Sequence, residues 1–371
     1  MDGLGRDEVS SPTVAIAAND ALYQGGLGGN TSTRTSPSME LIALMAAHES
    51  TEHASAAGGA VSPSSIEQVQ AEVRRLARDF TTIPPLLLLA EARRARDATY
   101  SLLDRTRRPV QTADLYLAAG QLCGLMASAS FDLTAWDAAE EQSRAANVYA
   151  ELVDHPGLRS WARGTQALVQ FWTGRPRQAL IHVSAGLDGA PAGTALARLK
   201  AIEARALSQL GGDPSEALQA VSQADEALTG PQDDDLHNEV GGEFGWEASR
   251  HDGCISTALL AMGDSAAAAA RARASLAQNA SEPVAGGVDH VRVNLAAANL
   301  RLNDLDAATE ALTEVWDIPV PQRRHSLTDR LGGVGRLLAE QSWRTDPAAS
   351  ELRDRVEVFN DEARWRALPT S

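Results

Sequence analysis

Phe171-Trp172-Thr173-Gly174-Arg175-Pro176-Arg177-Gln178-Ala179 decides the fold: one helix ends at a glycine turn and a second opens toward an alanine. The phrase recurs as Leu210-Gly211-Gly212-Asp213-Pro214-Ser215-Glu216-Ala217, as Met262-Gly263-Asp264-Ser265-Ala266-Ala267-Ala268 and as Leu302-Asn303-Asp304-Leu305-Asp306-Ala307-Ala308. Phe131-Asp132-Leu133-Thr134-Ala135-Trp136-Asp137-Ala138-Ala139 is a weaker copy. With Ala139, Ala179, Ala217, Ala268 and Ala308 as markers, the steps are 40, 38, 51 and 40 residues, so the third step holds an insertion. Five residues before the marker, Gly174, Gly212, Gly263 and Asn303 supply what a left-handed helix cap requires. A small residue lies twelve earlier at Ala127, Ala167 and Ala296, and a closing proline is clear at Pro191.

A helix pair of this kind cannot bury its apolar face alone, so the pairs must stack. Trp161, Thr165, Leu168 and Trp172 form one helical stripe, and Leu199, Ile202, Ala206 and Leu210 form another. No segment sustains the alternation of a strand. The expected fold is all-α, an α-α superhelix of tetratricopeptide-like repeats with helices longer than the usual unit. Aromatic residues are only 4% of the chain against 44% hydrophobic, so the core must rest on Ala, Leu and Val.

Four regions are expected: a Gly/Ser/Thr-rich leader over residues 1–37, N-terminal helices over 38–111, the repeat array over 112–321 and capping helices over 322–371. Within the second region a short helix is expected over 39–53, then two more over 64–108, the last opened by Pro84-Pro85. The long step places an insertion loop at 230–253.

The net charge of −16 disfavours non-specific contact with phosphate backbones and anionic lipid heads. No signal peptide or membrane-length apolar run is visible, and a cytoplasmic location is expected. Cys123 and Cys254 lie in helical patterns without metal or disulfide spacing, as buried small hydrophobes do. His48 and His53 are five residues apart, roughly 140° out of line on a helix, and do not form a zinc pair. The glycines at 25–29 follow no strand and match no dinucleotide loop, and neither a phosphate-binding loop nor a nucleophile elbow occurs. No catalytic residue, cofactor or metal is therefore assigned.

Binding residues are expected in two places. The concave groove is lined by first helices, and the polar residues opposite their apolar stripes are Arg163, Gln166, Gln170, Arg205 and Gln209. Insertions in repeat proteins often sit on the binding face, which makes Glu243, Trp246 and Arg250 candidates for a lid; the plainer reading is a mobile acidic loop whose Phe244 and Trp246 enter the core. Its Asp233-Asp234-Asp235 run favours a cationic or amphipathic partner. Residues 63–108 carry nine arginines against six acids, but interleaved charges at helical spacing read first as a salt-bridged face, and direct DNA contact is disfavoured.

From about residue 39 to 338, with Phe171-Trp172-Thr173-Gly174-Arg175-Pro176-Arg177-Gln178-Ala179-Leu180 and Gly241-Gly242-Glu243-Phe244-Gly245-Trp246, the chain resembles the C-terminal sensor region of actinobacterial XRE-family transcriptional regulators. The resemblance implies an all-α superhelix, a regulatory role and a groove that takes a peptide, a small effector or a protein partner; a non-enzymatic role and a homodimeric assembly are separate expectations. In that family a helix-turn-helix precedes the array, whereas residues 1–37 here are glycine-rich and lack apolar periodicity. A sensor is thus expected, with a DNA-binding regulator and an unrecognised enzyme as the alternatives.

Overall fold

A computed structural model of the protein describes residues 37–57, 61–281 and 288–364. The leader expected over residues 1–37 lies outside the described residues, except that Pro37 begins the first helix. The chain divides into two units, Met1–Ala54 and Ser55–Ser371. The described part of the first unit belongs to α1 (Pro37–Ala57), which contains the helix expected over 39–53.

The second unit is built from helix pairs. Two helices, α2 (Pro63–Arg78) and α3 (Pro85–Arg105), lead into α4 (Pro109–Asp132) with α5 (Trp136–Leu152), α6 (Pro156–Trp172) with α7 (Pro176–Leu187), and α8 (Thr194–Leu210) with α9 (Pro214–Thr229). After the insertion come α10 (Ala248–Met262) with α11 (Ser265–Ser281), α12 (Asp289–Arg301) with α13 (Leu305–Ala311), and then α14 (His325–Leu338) and α15 (Pro347–Arg364). The described residues contain no strand. The five marker alanines fall one in each of α5, α7, α9, α11 and α13, each at most 1% exposed. Alanine at these places lets each second helix lie close against its partner. The first helices α4, α6, α8, α10, α12 and α14 pack successively on one another, which makes an α-α superhelix. Among the described residues no helix is long and apolar enough to cross a membrane.

The repeated phrase has a two-part physical basis. Left-handed residues close the first helices at Gly174 (φ +74°), Gly211 (φ +65°), Gly263 (φ +86°) and Asn303 (φ +62°). An aspartate then caps the next helix: Asp213 accepts from the Ser215 N–H, Asp264 from Ala267 and Asp304 from Ala307, at 2.9–3.0 Å. In the third pair the cap is Gly211 rather than the expected Gly212, because α8 ends at Leu210 and the extra residue falls in the turn. Thr134 (φ +62°) holds the same position in the weak first copy.

One expected boundary moves. The insertion ends at residue 247, not 253, because α10 begins at Ala248. The closing helices do more than cover the last repeat. As expected, α14 packs on α12, but its start also reaches α4. There Arg324 pairs with Asp132 at the end of α4 and donates to the Phe80 carbonyl (2.6 Å) in the turn between α2 and α3. Gln322 donates to the Thr82 carbonyl in the same turn (3.3 Å). The stack of first helices therefore returns on itself.

A β-branched residue in left-handed backbone is strained by roughly 1 kcal/mol relative to glycine. Thr134→Gly is expected to raise the unfolding free energy by about that amount, and Gly174→Ala, where a methyl would meet no atom within 4 Å, to lower it by a similar amount. Urea denaturation of the two variants checks both signs.

Candidate functional site

The curl of the first helices lines a cavity of about 220 Å³. Each first helix contributes to its wall: Phe131 and Asp132 from α4, Thr165, Leu168 and Trp172 from α6, Arg198, Ile202 and Arg205 from α8, Arg250 and Cys254 from α10, His290 from α12, and Ser326 and Arg330 from α14. Phe80 and Thr81 from the α2–α3 turn complete one side, together with Arg324, and Glu243 and Trp246 from the insertion complete another.

The insertion is tied down at each end. Asp234 is buried and accepts from the Thr194 hydroxyl at 2.9 Å, and Leu236 is buried in the N-terminal core. Phe244 is buried edge-on against Trp161, ring centres 4.8 Å apart. Glu243 accepts from the Ser128 hydroxyl (2.7 Å) and from Arg250 (3.2 Å), which also donates to the carbonyls of Glu243 and Gly245. The Trp246 backbone N–H donates to His237, and its indole N–H donates to His251, which bonds Asp225. Gly242, at φ +59°, rests on α2, where a Cβ would lie 2.3 Å from the Ala77 carbonyl oxygen. The insertion is thus packed as a plug along one side of the cavity, with Phe244 in the core as the plainer reading expected, and the cavity remains partly open to solvent.

Five arginines face two carboxylates in this wall. Arg324 pairs with Asp132, and Arg250 pairs with Glu243. Burial pushes the Asp132 carboxyl above the usual range, and Arg324 opposes that shift. Arg198 has no carboxylate; it donates to the Trp161 carbonyl (2.9 Å) and the Thr165 hydroxyl (3.1 Å) and lies over the Trp161 ring. Gly164 makes room for it, since a Cβ there would fall 2.4 Å from Nη1. Burial lowers Arg198 to about 10 and, with Arg205 alongside, Arg330 to about 9. Both remain cationic at neutral pH. Burial and the nearby Arg330, Arg205 and Arg250 hold the His290 imidazole well below its usual value, hence neutral.

Of the sequence candidates, Arg205, Glu243, Trp246 and Arg250 come together in the cavity wall. Arg163, Gln166, Gln170 and Gln209 do not. Arg163 donates to Gln166 (3.2 Å) and lies 3.8 Å from Glu151, while Gln170 donates to Glu140 on α5 (3.2 Å) and Gln209 is exposed. The faces of α6 are reversed from the expectation. Its polar residues turn toward α5, and Thr165, Leu168 and Trp172 of its apolar stripe turn to the cavity, because plug and α14 cover the concave side. Asp233 and Asp235, whose charge suggested a cationic partner, are exposed and do not line the cavity, whose own wall is arginine-rich. Sequence reasoning passed over Arg198, two helical turns before Arg205 and therefore on nearly the same face, and over Arg324 and Arg330. No protein-family model matches the chain, and no curated protein matches it.

Gly242→Ala combines left-handed strain with a backbone clash and is expected to cost about 1–3 kcal/mol, read by urea denaturation. A second expectation concerns pH. The unfolded chain takes up a proton at His290 near pH 6.5 that the folded chain refuses, so its contribution to stability is full above that pH and falls away below it. His290→Gln should therefore flatten the loss of stability between pH 6.5 and 5.5, by no more than about 1.4 kcal/mol per pH unit. Parallel melting curves at the two pH values measure it.

Proposed function

We propose that the protein is a non-enzymatic regulatory interaction protein, a tetratricopeptide-type sensor whose ligand occupies the cavity lined by the first helices. The observation that carries this reading is the convergence of side chains from all six stacked first helices, α4 to α14, on one cavity flanked by the plug and by the start of α14. A ligand touching every wall stabilises the closed ring over any opened form by its differential affinity, which is what a sensor requires. At about 220 Å³ the site suits a small effector better than a peptide helix, which is about 10 Å across. The resemblance of residues 39–338 to the sensor region of XRE-family regulators agrees with this role. Direct DNA binding would fall to the arginines of α2 and α3, yet Arg75 donates to Glu72 and Glu91, and Arg96 to Asp97.

The dialysable small-molecule fraction of the cells that make the protein is the first ligand source to test. It should raise the melting temperature of the full chain, and Leu168→Trp, which narrows the cavity from the α6 wall, should abolish the rise while leaving the circular dichroism spectrum helical. A shift that survives Leu168→Trp would place binding elsewhere. Titration of promoter DNA at two salt concentrations tests the DNA reading directly, since phosphate contacts give strongly salt-dependent affinity.

A further inference from the structure

We propose that Arg205 and Arg330 form an oxyanion subsite within the cavity, so that the ligand is a compact molecule with at least two negative charges carried on phosphate or carboxylate groups. This rests on the cavity reading above. Three of the five cavity arginines have their hydrogen bonds accounted for: Arg324 on Asp132 and Phe80, Arg250 on Glu243, and Arg198 on Trp161 and Thr165. Arg205 and Arg330 do not. Arg205 is only 7% exposed, and its single polar contact is a weak one, Nη1 to the Cys254 sulfur at 3.9 Å. Its Nε and Nη2 are buried without a hydrogen-bond partner. Arg330 donates from Nη1 to the Ser326 carbonyl (2.9 Å), and its buried Nε has no partner.

Aromatic faces hold both guanidiniums. Arg205 lies 4.5 Å from the centre of the Phe171 ring and 5.9 Å from that of Trp172, and Arg330 lies 4.9 Å from that of Trp172. Ring faces attract cations but occupy none of their N–H donors. Two guanidiniums thus share the Trp172 ring with donors unused, Arg205 makes the Arg330 charge harder to hold, and the two cavity carboxylates are committed elsewhere. Guanidinium donors match phosphate and carboxylate oxygens in a fork that fixes orientation. A dianion would satisfy both groups and relieve their repulsion; a cation would add to it. The net charge of −16 works against anions at the surface, so the attraction is confined to the buried site.

Calorimetric titration of the full chain with inorganic pyrophosphate and with citrate tests the subsite, with spermidine and a neutral sugar as controls. At least one anion should bind and neither control should. Arg205→Met and Arg330→Met should each weaken that binding at least about tenfold, and the lysine variants should fall between wild type and methionine. Without ligand the methionine variants should melt higher than wild type, because an apolar side chain replaces an under-bonded buried charge; this separates a lost site from a lost fold. Anion binding undiminished in both methionine variants overturns the subsite. So does failure of both anions while the cell fraction still gives a shift that Leu168→Trp abolishes, an outcome that leaves the cavity reading standing. If neither anions nor cell fraction bind, both readings fall.

Discussion

The contact of Arg324 with Asp132 and with the Phe80 carbonyl sets the form of the array. In a solenoid each repeat ordinarily touches only its neighbours, and an open stack encloses nothing. Here one guanidinium joins residues 192 and 244 positions away in the chain, and it lies over the Phe80 ring at 4.7 Å. Gln322 on the Thr82 carbonyl, and His325 against the edges of Trp136 and Trp172, add to the same junction. Both members of the ion pair are largely withdrawn from water, so losing either one would leave a buried charge uncompensated, at a cost of order 3–5 kcal/mol. The junction that returns the stack on itself therefore also brings Phe80, Asp132 and Arg324 together in the cavity wall.

What the sequence disclosed follows from the range of each interaction. The marker alanines, the left-handed caps and the capping aspartates act within a few residues, and they appear as a repeated phrase. The register slip at Gly211 and the earlier start of α10 are boundary effects that the same local chemistry allows. Orientation was harder to read. A first helix such as α6 is covered on nearly every side, and its period shows that it has two faces without telling which one meets the concave side. Gln166 is buried with a partner on its own helix, Arg163, and Gln170 with Glu140 on α5, as buried polar residues are when they find partners. Arg324 and Arg330 were not legible as site residues because their partners arrive from the other end of the chain. Glu243 and Trp246 of the plug, and Arg250 just beyond it on α10, were found because an insertion in a regular array is visible as a broken spacing.

The distribution of charge sets a limit on what this cavity is for. A protein with 49 acidic and 33 basic residues has carboxylates to spare, yet the interior of the ring leaves Arg198, Arg205 and Arg330 without one. Were the arginines there for stability alone, pairing them or replacing them with apolar residues of similar volume would serve better, since under-bonded buried charges lower stability. The aromatic rings around them, Trp161, Phe171 and Trp172, hold the guanidiniums in place without consuming their donors. On the proposed reading, the positioned and under-bonded Arg205 and Arg330 would act as a preorganised receptor: the cost of orienting the donors would be met on folding, and association would be spared it. Occupancy of such a receptor would then be felt at the junction of α14 with α4, because Arg330 and Arg324 project from the same end of the same closing segment.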